Sequence, residues 1–199
     1  SEAQGFGMVV LPHMAGYDSN AQNIFDGLLS YVQAHPSNID PRLMDWDQPN
    51  PVGNNSAFDG DVDIAYGLLL ADAQWGSDGA INYREEALDI IAGIYESTIG
   101  PDSHLPMLGD WVNPYSGGTY SQWTTRSSDF MAGHFRVFGI VSEKEAEWDQ
   151  VIQTIQQGIS DIQFDYGTGL LPDFILMDSS SGEFSPAPPN FLESPYDGD

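Results

Sequence analysis

Asp59-Gly60-Asp61-Val62-Asp63 sets three carboxylates within five residues, directly ahead of the apolar stretch 64–71. Such a cluster could seed a calcium loop. The EF-hand pattern, however, needs Gly at its sixth position and Glu at its twelfth, and those positions hold Ile64 and Leu70. Acidic residues in a first helical turn complement the helix dipole, each by roughly 0.3–1 kcal/mol. That accounts for part of the motif. Grouping three carboxylates beside an apolar stretch costs repulsion, which marks at least one of them for chemistry. Two carboxyls across a cleft, one protonated and one ionised, can hydrolyse a glycosidic bond. The aromatics fit the same substrate, because sugars stack their apolar C–H faces on indole and phenol rings. Trp46, Trp111 and Trp123 all lie in or beside predicted loops, where each could equally anchor its loop in the core.

Other chemistries lose their usual markers. The chain has no GxSxG, no P-loop, and no GxGxxG after a strand. It has no cysteine, hence no disulfide, thiolate ligand or thiol nucleophile. His13, His35, His104 and His134 are scattered, with no HExxH and no i, i+4 pair. His13 and His134 read as packed or capping residues, so neither a metal site nor a cofactor is expected. Asp+Glu number 30 against 5 Lys+Arg, a formal charge of −25. That field repels nucleic-acid phosphate and anionic membrane surfaces. No apolar run approaches the roughly 20 residues that span a bilayer. With 41% hydrophobic residues, the chain is too apolar for an acidic disordered segment.

The elements that must position these groups are helical. Apolar periodicity predicts helices over 4–15, 19–34, 56–75, 77–97, 128–140 and 142–165. The first is read as buried through Phe6, Met8, Val9, Val10, Leu11 and Met14. Ser19 or Asn20 is available to cap the second and Pro36 stops it, while Ser142 with Glu145 fits a capping box. Segments 38–55 and 99–125 read as long loops, and 167–199 as loop throughout. Strand signals are weak and confined to short hairpins. Sequential helix pairs suggest an antiparallel array, either a solenoid or an α/α barrel. No linker divides the chain, and one domain over 1–199 is expected.

Segment 56–75, Ser56-Ala57-Phe58-Asp59-Gly60-Asp61-Val62-Asp63-Ile64-Ala65-Tyr66-Gly67 and onward to Trp75, closely resembles the signature of glycoside hydrolase family eight, with Phe58 where a small hydroxyl residue is usual. Further blocks agree in order. Ser1-Glu2-Ala3-Gln4-Gly5-Phe6-Gly7-Met8 is similar to the family segment whose Glu is the general acid. Leu43-Met44-Asp45-Trp46 resembles the segment bearing a sugar-stacking Trp. Gly109-Asp110-Trp111, Arg126-Ser127-Ser128-Asp129-Phe130-Met131, His134-Phe135-Arg136 and Gly169-Leu170-Leu171-Pro172-Asp173-Phe174 resemble later blocks. Phe191-Leu192-Glu193 is similar to the loop that supplies a Glu base in the chitosanase branch.

The resemblance implies an all-α (α/α)6 barrel of twelve helices, of which the six read here are about half. The chain is thus expected to be part of a catalytic domain, cut at both ends. The implied activity is an inverting endo-glycosidase acting on β-1,4-linked glycans, cellulose or β-glucan or chitosan. Glu2 is the implied general acid, Glu193 the general base, and Asp59 the group that stabilises the distorted sugar ring. Trp46, Asp61, Trp111, Asp129 and Arg136 are the implied substrate contacts. Inversion needs the two carboxyls about 6.5–9.5 Å apart, and about 5–5.5 Å signals retention instead. A general acid must hold its proton near neutral pH, so burial or neighbouring carboxylates are expected around Glu2. The acidic surface suits a polycation such as chitosan, or adaptation to salt. The expected partner is a polysaccharide, with no nucleic acid and no membrane, and the expected protein is a secreted monomer. Two other readings stay open: a carbohydrate-binding relative that has lost catalysis, and an acidic helical-repeat interaction module.

Overall fold

The computed structural model describes residues 1–47, 54–188 and 191. Along the chain it has α1 (Glu2–Met14), α2 (Ala21–Ala34), α3 (Phe58–Trp75), α4 (Tyr83–Thr98), β1 (Thr124–Arg126), a 3-10 turn (Ser127–Asp129), α5 (Ala132–Ser142), α6 (Glu145–Tyr166), β2 (Phe174–Met177) and β3 (Phe184–Pro186). The chain divides into two compact units: Ser1–Ser97 with Gly109–Trp111, and Thr98–Leu108 with Val112–Asp199. No helix among the described residues is long and apolar enough to cross a membrane.

In the first unit α1 packs along α3 and α2. The sequence 58–75 is apolar almost all round, and α3 is accordingly the most enclosed helix, buried from Phe58 through Ala65 apart from Asp59. Phe25 of α2 meets Trp75 and Tyr83 edge-on, each at 5.5 Å. The periodicity of 4–15 correctly predicts a helix but not its buried side. Gly5, Met8 and Pro12 face inward, whereas Phe6, Val10 and Met14, four residues apart, are 55%, 54% and 38% exposed. A segment apolar on two stripes does not declare which one packs.

The α4 helix starts six residues later than expected. Asn82 sets its start: the Glu85 N–H donates to Asn82 Oδ1 (3.1 Å) and Asn82 Nδ2 donates to Glu85 Oε2 (3.1 Å). This pairing of Asn82 with Glu85 follows the spacing of a capping box, with Asn in place of Ser.

In the second unit α5 and α6 form an antiparallel hairpin around Trp148, which stacks on Phe135 and meets Phe138 edge-on, both at 5.4 Å. The capping box expected from Ser142 and Glu145 does not form. Ser142 belongs to α5 and donates to the Phe138 carbonyl (2.6 Å), Glu143 ends that helix in the left-handed region (φ 58°), and Lys144 precedes α6. The segment read as loop over 167–199 contains strands. β2 is the centre of an antiparallel three-stranded sheet, order β1-β2-β3. Strands of three and four residues are too short to show period-2 alternation. Arg126 opposite Phe174 locks the register: its guanidinium grips Asp173 through two bonds (2.9 and 3.1 Å) and lies 5.3 Å over the Phe174 ring.

Candidate active site

The first turns of α1 and α3 lie against each other because each helix has a glycine at the crossing. A Cβ on Gly5 would sit 2.6 Å from Asp63 Cβ, and one on Gly60 would collide with Ser1 Oγ and stand 2.9 Å from the Glu2 nitrogen. Glycine at both positions lets the start of α1, which carries Glu2, rest on the start of α3, which carries Asp59. Glu2 is exposed and Asp59 half-buried, with Asp59 Oδ1 accepting the Gly60 N–H (2.8 Å). The burial expected around Glu2 is absent from its own unit. The Ser1 nitrogen sits in this acidic corner, within electrostatic reach of Asp61, Asp59, Asp45 and Glu2.

Trp46 borders the same corner. Its carbonyl accepts from the Ser1 nitrogen (2.7 Å), its N–H donates to the Asn55 carbonyl (3.0 Å), and the residue is 46% exposed. The loop leading to it is held at successive steps. Ser37 N–H donates to Leu43 O (2.7 Å), Asp45 N–H to His35 O (2.9 Å), and Met44 N–H to Asp61 Oδ1 (2.8 Å). Arg42 clamps the loop further, with Nε and Nη2 on Asp40 (2.9 and 2.7 Å) and Nη1 on Glu96 (2.8 Å). Burial would push Asp40 up, but its bonds from Arg42 and Ser97 win and hold its pKa below the ordinary value. Trp111 also belongs to this unit and is 40% exposed. Glu2, Asp59, Trp46 and Trp111 thus fall in one unit.

Asp61 is 1% exposed and holds the Met44 N–H inside the unit. Burial raises its pKa well above the ordinary carboxylate value, the Met44 N–H and the Ser56 hydroxyl lower it, and Asp110 raises it again. A raised native pKa means that stability is fully present below the unfolded value and is lost as pH rises through the native one. Asp61→Asn keeps the acceptor for Met44 and carries no titratable proton. The melting temperature of Asp61→Asn relative to wild type is therefore expected to climb as pH increases from about 4 to 7. A difference that stays flat across a thermal-unfolding pH series contradicts that assignment.

Asp129 and Arg136 belong to the second unit. Asp129 is 4% exposed, with Oδ1 accepting from Ser128 Oγ (3.3 Å). Arg136 lies on α5 and lines a cavity with Glu145 and Asp149. Glu193 lies outside the described residues. Among the described residues no group of three or more His, Asp and Glu side chains is arranged to hold a metal ion. The residue that sequence reasoning does not single out is Asp110. It is buried (8% exposed) beside Ser56, and its position between Gly109 and Trp111 is the only available signal.

Across residues 1–196 the chain matches the family model described as glycosyl hydrolases family 8. It belongs to that family. It is 44% identical over 204 residues to a β-glucanase of Niallia circulans, covering 100% of this chain and 48% of that protein. It is 42% identical over 204 residues to an endoglucanase of Bacillus sp. (strain KSM-330), covering 98% of this chain and 42% of that protein. Among solved structures, the apo β-1,3-1,4-glucanase from Paenibacillus sp. X4 superposes with a TM-score of 0.91 at 44% identity, covering 99% of this chain and 52% of that one. The family 8 chain thus spans about half the length of the curated relatives it matches. Its helices belong to the fold class of the family's (α/α)6 barrels.

Proposed function

We propose that the polypeptide carrying this family 8 chain is an endo-acting glycoside hydrolase that cleaves β-linked glucan with inversion at the anomeric carbon. The observation that carries this reading is the close crossing of α1 and α3, which brings Glu2 and Asp59 to one acidic corner beside the exposed Trp46. Glu2 donates a proton to the glycosidic oxygen. Glu193, as base, takes a proton from the water attacking the opposite face. Asp59 offsets positive charge on the oxocarbenium-like ring. Trp46 and Trp111 are exposed indoles on which sugar rings stack. The named relatives, a β-glucanase and an endoglucanase, support glucan as the substrate class.

Chitosan is the second reading. The formal charge of −25 favours encounter with a polycation, and the segment around Glu193 resembles the chitosanase-branch base loop. A polymeric substrate is reached outside the cell, so the reading includes secretion; the enzyme works as a single catalytic domain and as a monomer. Proton NMR of the first products tests the mechanism. Cleavage of a β-linked glucan by the whole enzyme is expected to release the α-anomer first. Initial release of the β-anomer means retention and sinks the inverting assignment. Comparing barley β-glucan, carboxymethylcellulose and chitosan in the same assay separates the substrates, with turnover on chitosan alone favouring the second reading.

A further inference from the structure

Asp110 is enclosed, and both its carboxyl oxygens accept hydrogen bonds. Its Oδ2 accepts from Ser37 Oγ (2.5 Å) and from the Asp40 N–H (3.1 Å). Its Oδ1 accepts the Ser56 N–H (2.8 Å), and its own N–H donates to Ser56 Oγ (3.2 Å). The two oxygens therefore serve two different segments. One is the loop that runs through the Asp40–Arg42 clamp to Trp46. The other is the turn at Ser56, three residues ahead of Asp59. The backbone of Asp110 continues into Trp111, and Gly109 makes that approach possible: a Cβ there would collide with the Ser56 carbonyl and stand 2.9 Å from Trp111 Nε1.

We infer that Asp110 is a positioning residue for catalysis, whose buried carboxylate sets the Trp46 loop and the Asp59 turn in fixed relation to Trp111. It touches no substrate itself. It acts through the groups that do, so the inference builds on the proposed glycan-cleaving role of that corner. A buried carboxylate is costly to desolvate and replaceable when it only fills space. One that joins three segments, each bearing a side chain assigned to the sugar, fixes their geometry to within the tolerance that catalysis needs.

The two arms separate by substitution. In Asp110→Asn, Oδ1 still accepts from Ser56 and the new amide N–H can donate to Ser37 Oγ, but the Asp40 N–H loses its acceptor, donor against donor. Only the Trp46 arm is weakened. In Asp110→Ala both arms go. In the whole enzyme, Asp110→Asn is expected to raise KM about tenfold with kcat within about threefold of wild type. Asp110→Ala is expected to lower kcat about 100-fold as well. In a Trp46→Ala background, Asp110→Asn should add no further rise in KM, because the loop it aims is already stripped of its ring. Circular dichroism and active-site titration confirm that each variant is compared at equal folded concentration.

A KM for Asp110→Asn equal to wild type overturns the inference. So does a KM penalty that persists unchanged in the Trp46→Ala background, or a loss that scales kcat alone with the folded fraction. A wild-type enzyme that cleaves no glycan overturns the proposed function and this inference together. A cleaving wild type with an indifferent Asp110 overturns the inference alone.

Discussion

Glu2→Gln in the whole enzyme is expected to lower kcat on β-glucan by about 10²–10⁴-fold, the range a positioned general acid supplies. The change is isosteric and the side chain is exposed at the first turn of α1, so the fold and KM should stay close to wild type. The amide has no acidic proton to give the glycosidic oxygen. Substrates whose leaving group needs no protonation, such as glycosyl fluorides, should lose far less. That contrast separates a lost acid from a damaged site. Steady-state kinetics on both substrates, with thermal melts as the folding control, make the measurement. Full turnover of β-glucan by Glu2→Gln removes Glu2 from the mechanism.

Gly60→Ala is expected to cost about 1–3 kcal/mol of stability, the range for overpacking a close contact. It should also lower kcat about 100-fold, since a displacement near 1 Å suffices for that loss. The added methyl would meet Ser1 Oγ and the Glu2 nitrogen. Helix α1 must shift away from α3 at the end that carries the proposed acid. The same substitution at Gly79, where a Cβ meets nothing within 4 Å, serves as the control and should leave both quantities near wild type. Urea denaturation and initial rates on the two variants provide the check. If Gly60→Ala is as stable and active as Gly79→Ala, the crossing does not position Glu2.

Helices are more legible in the sequence than the way they pack. Segment 56–75 carries both its helix and its carboxylates in one readable motif, because a helix apolar almost all round has no ambiguous face. Glu2, Asp59, Trp46 and Trp111 fall in one unit, and each sits in a contiguous motif. Asp61 cannot be told from Asp59 in the same way. The two differ by two residues and by burial alone: half-buried at the turn for one, 1% exposed against Met44 for the other. Asp110 escapes notice for a related reason. Its partners lie 54 to 73 residues away, and no local pattern encodes such a meeting. Caps are misread where two candidates compete. The preceding helix absorbs Ser142 through its bond to Phe138, while Asn82, inside the segment read as helix from 77, starts α4 by accepting the Glu85 N–H. The strands at Thr124–Arg126, Phe174–Met177 and Phe184–Pro186 exist through pairing across the sheet, which local propensity does not register.

If Glu2 and Asp59, held together by the crossing of α1 and α3, flank the bond that is cut, a bound substrate must thread between them. A crystal structure of the whole enzyme carrying Glu2→Gln, with a cello-oligosaccharide bound, reads this out directly. The substituted amide at position 2 is expected within hydrogen-bond distance of a glycosidic oxygen. Asp59 should lie against the ring on the cleaved side, and sugar faces should stack on Trp46 and Trp111. An oligosaccharide bound elsewhere, or bound with that amide remote from every glycosidic oxygen, contradicts the assignment of both carboxylates.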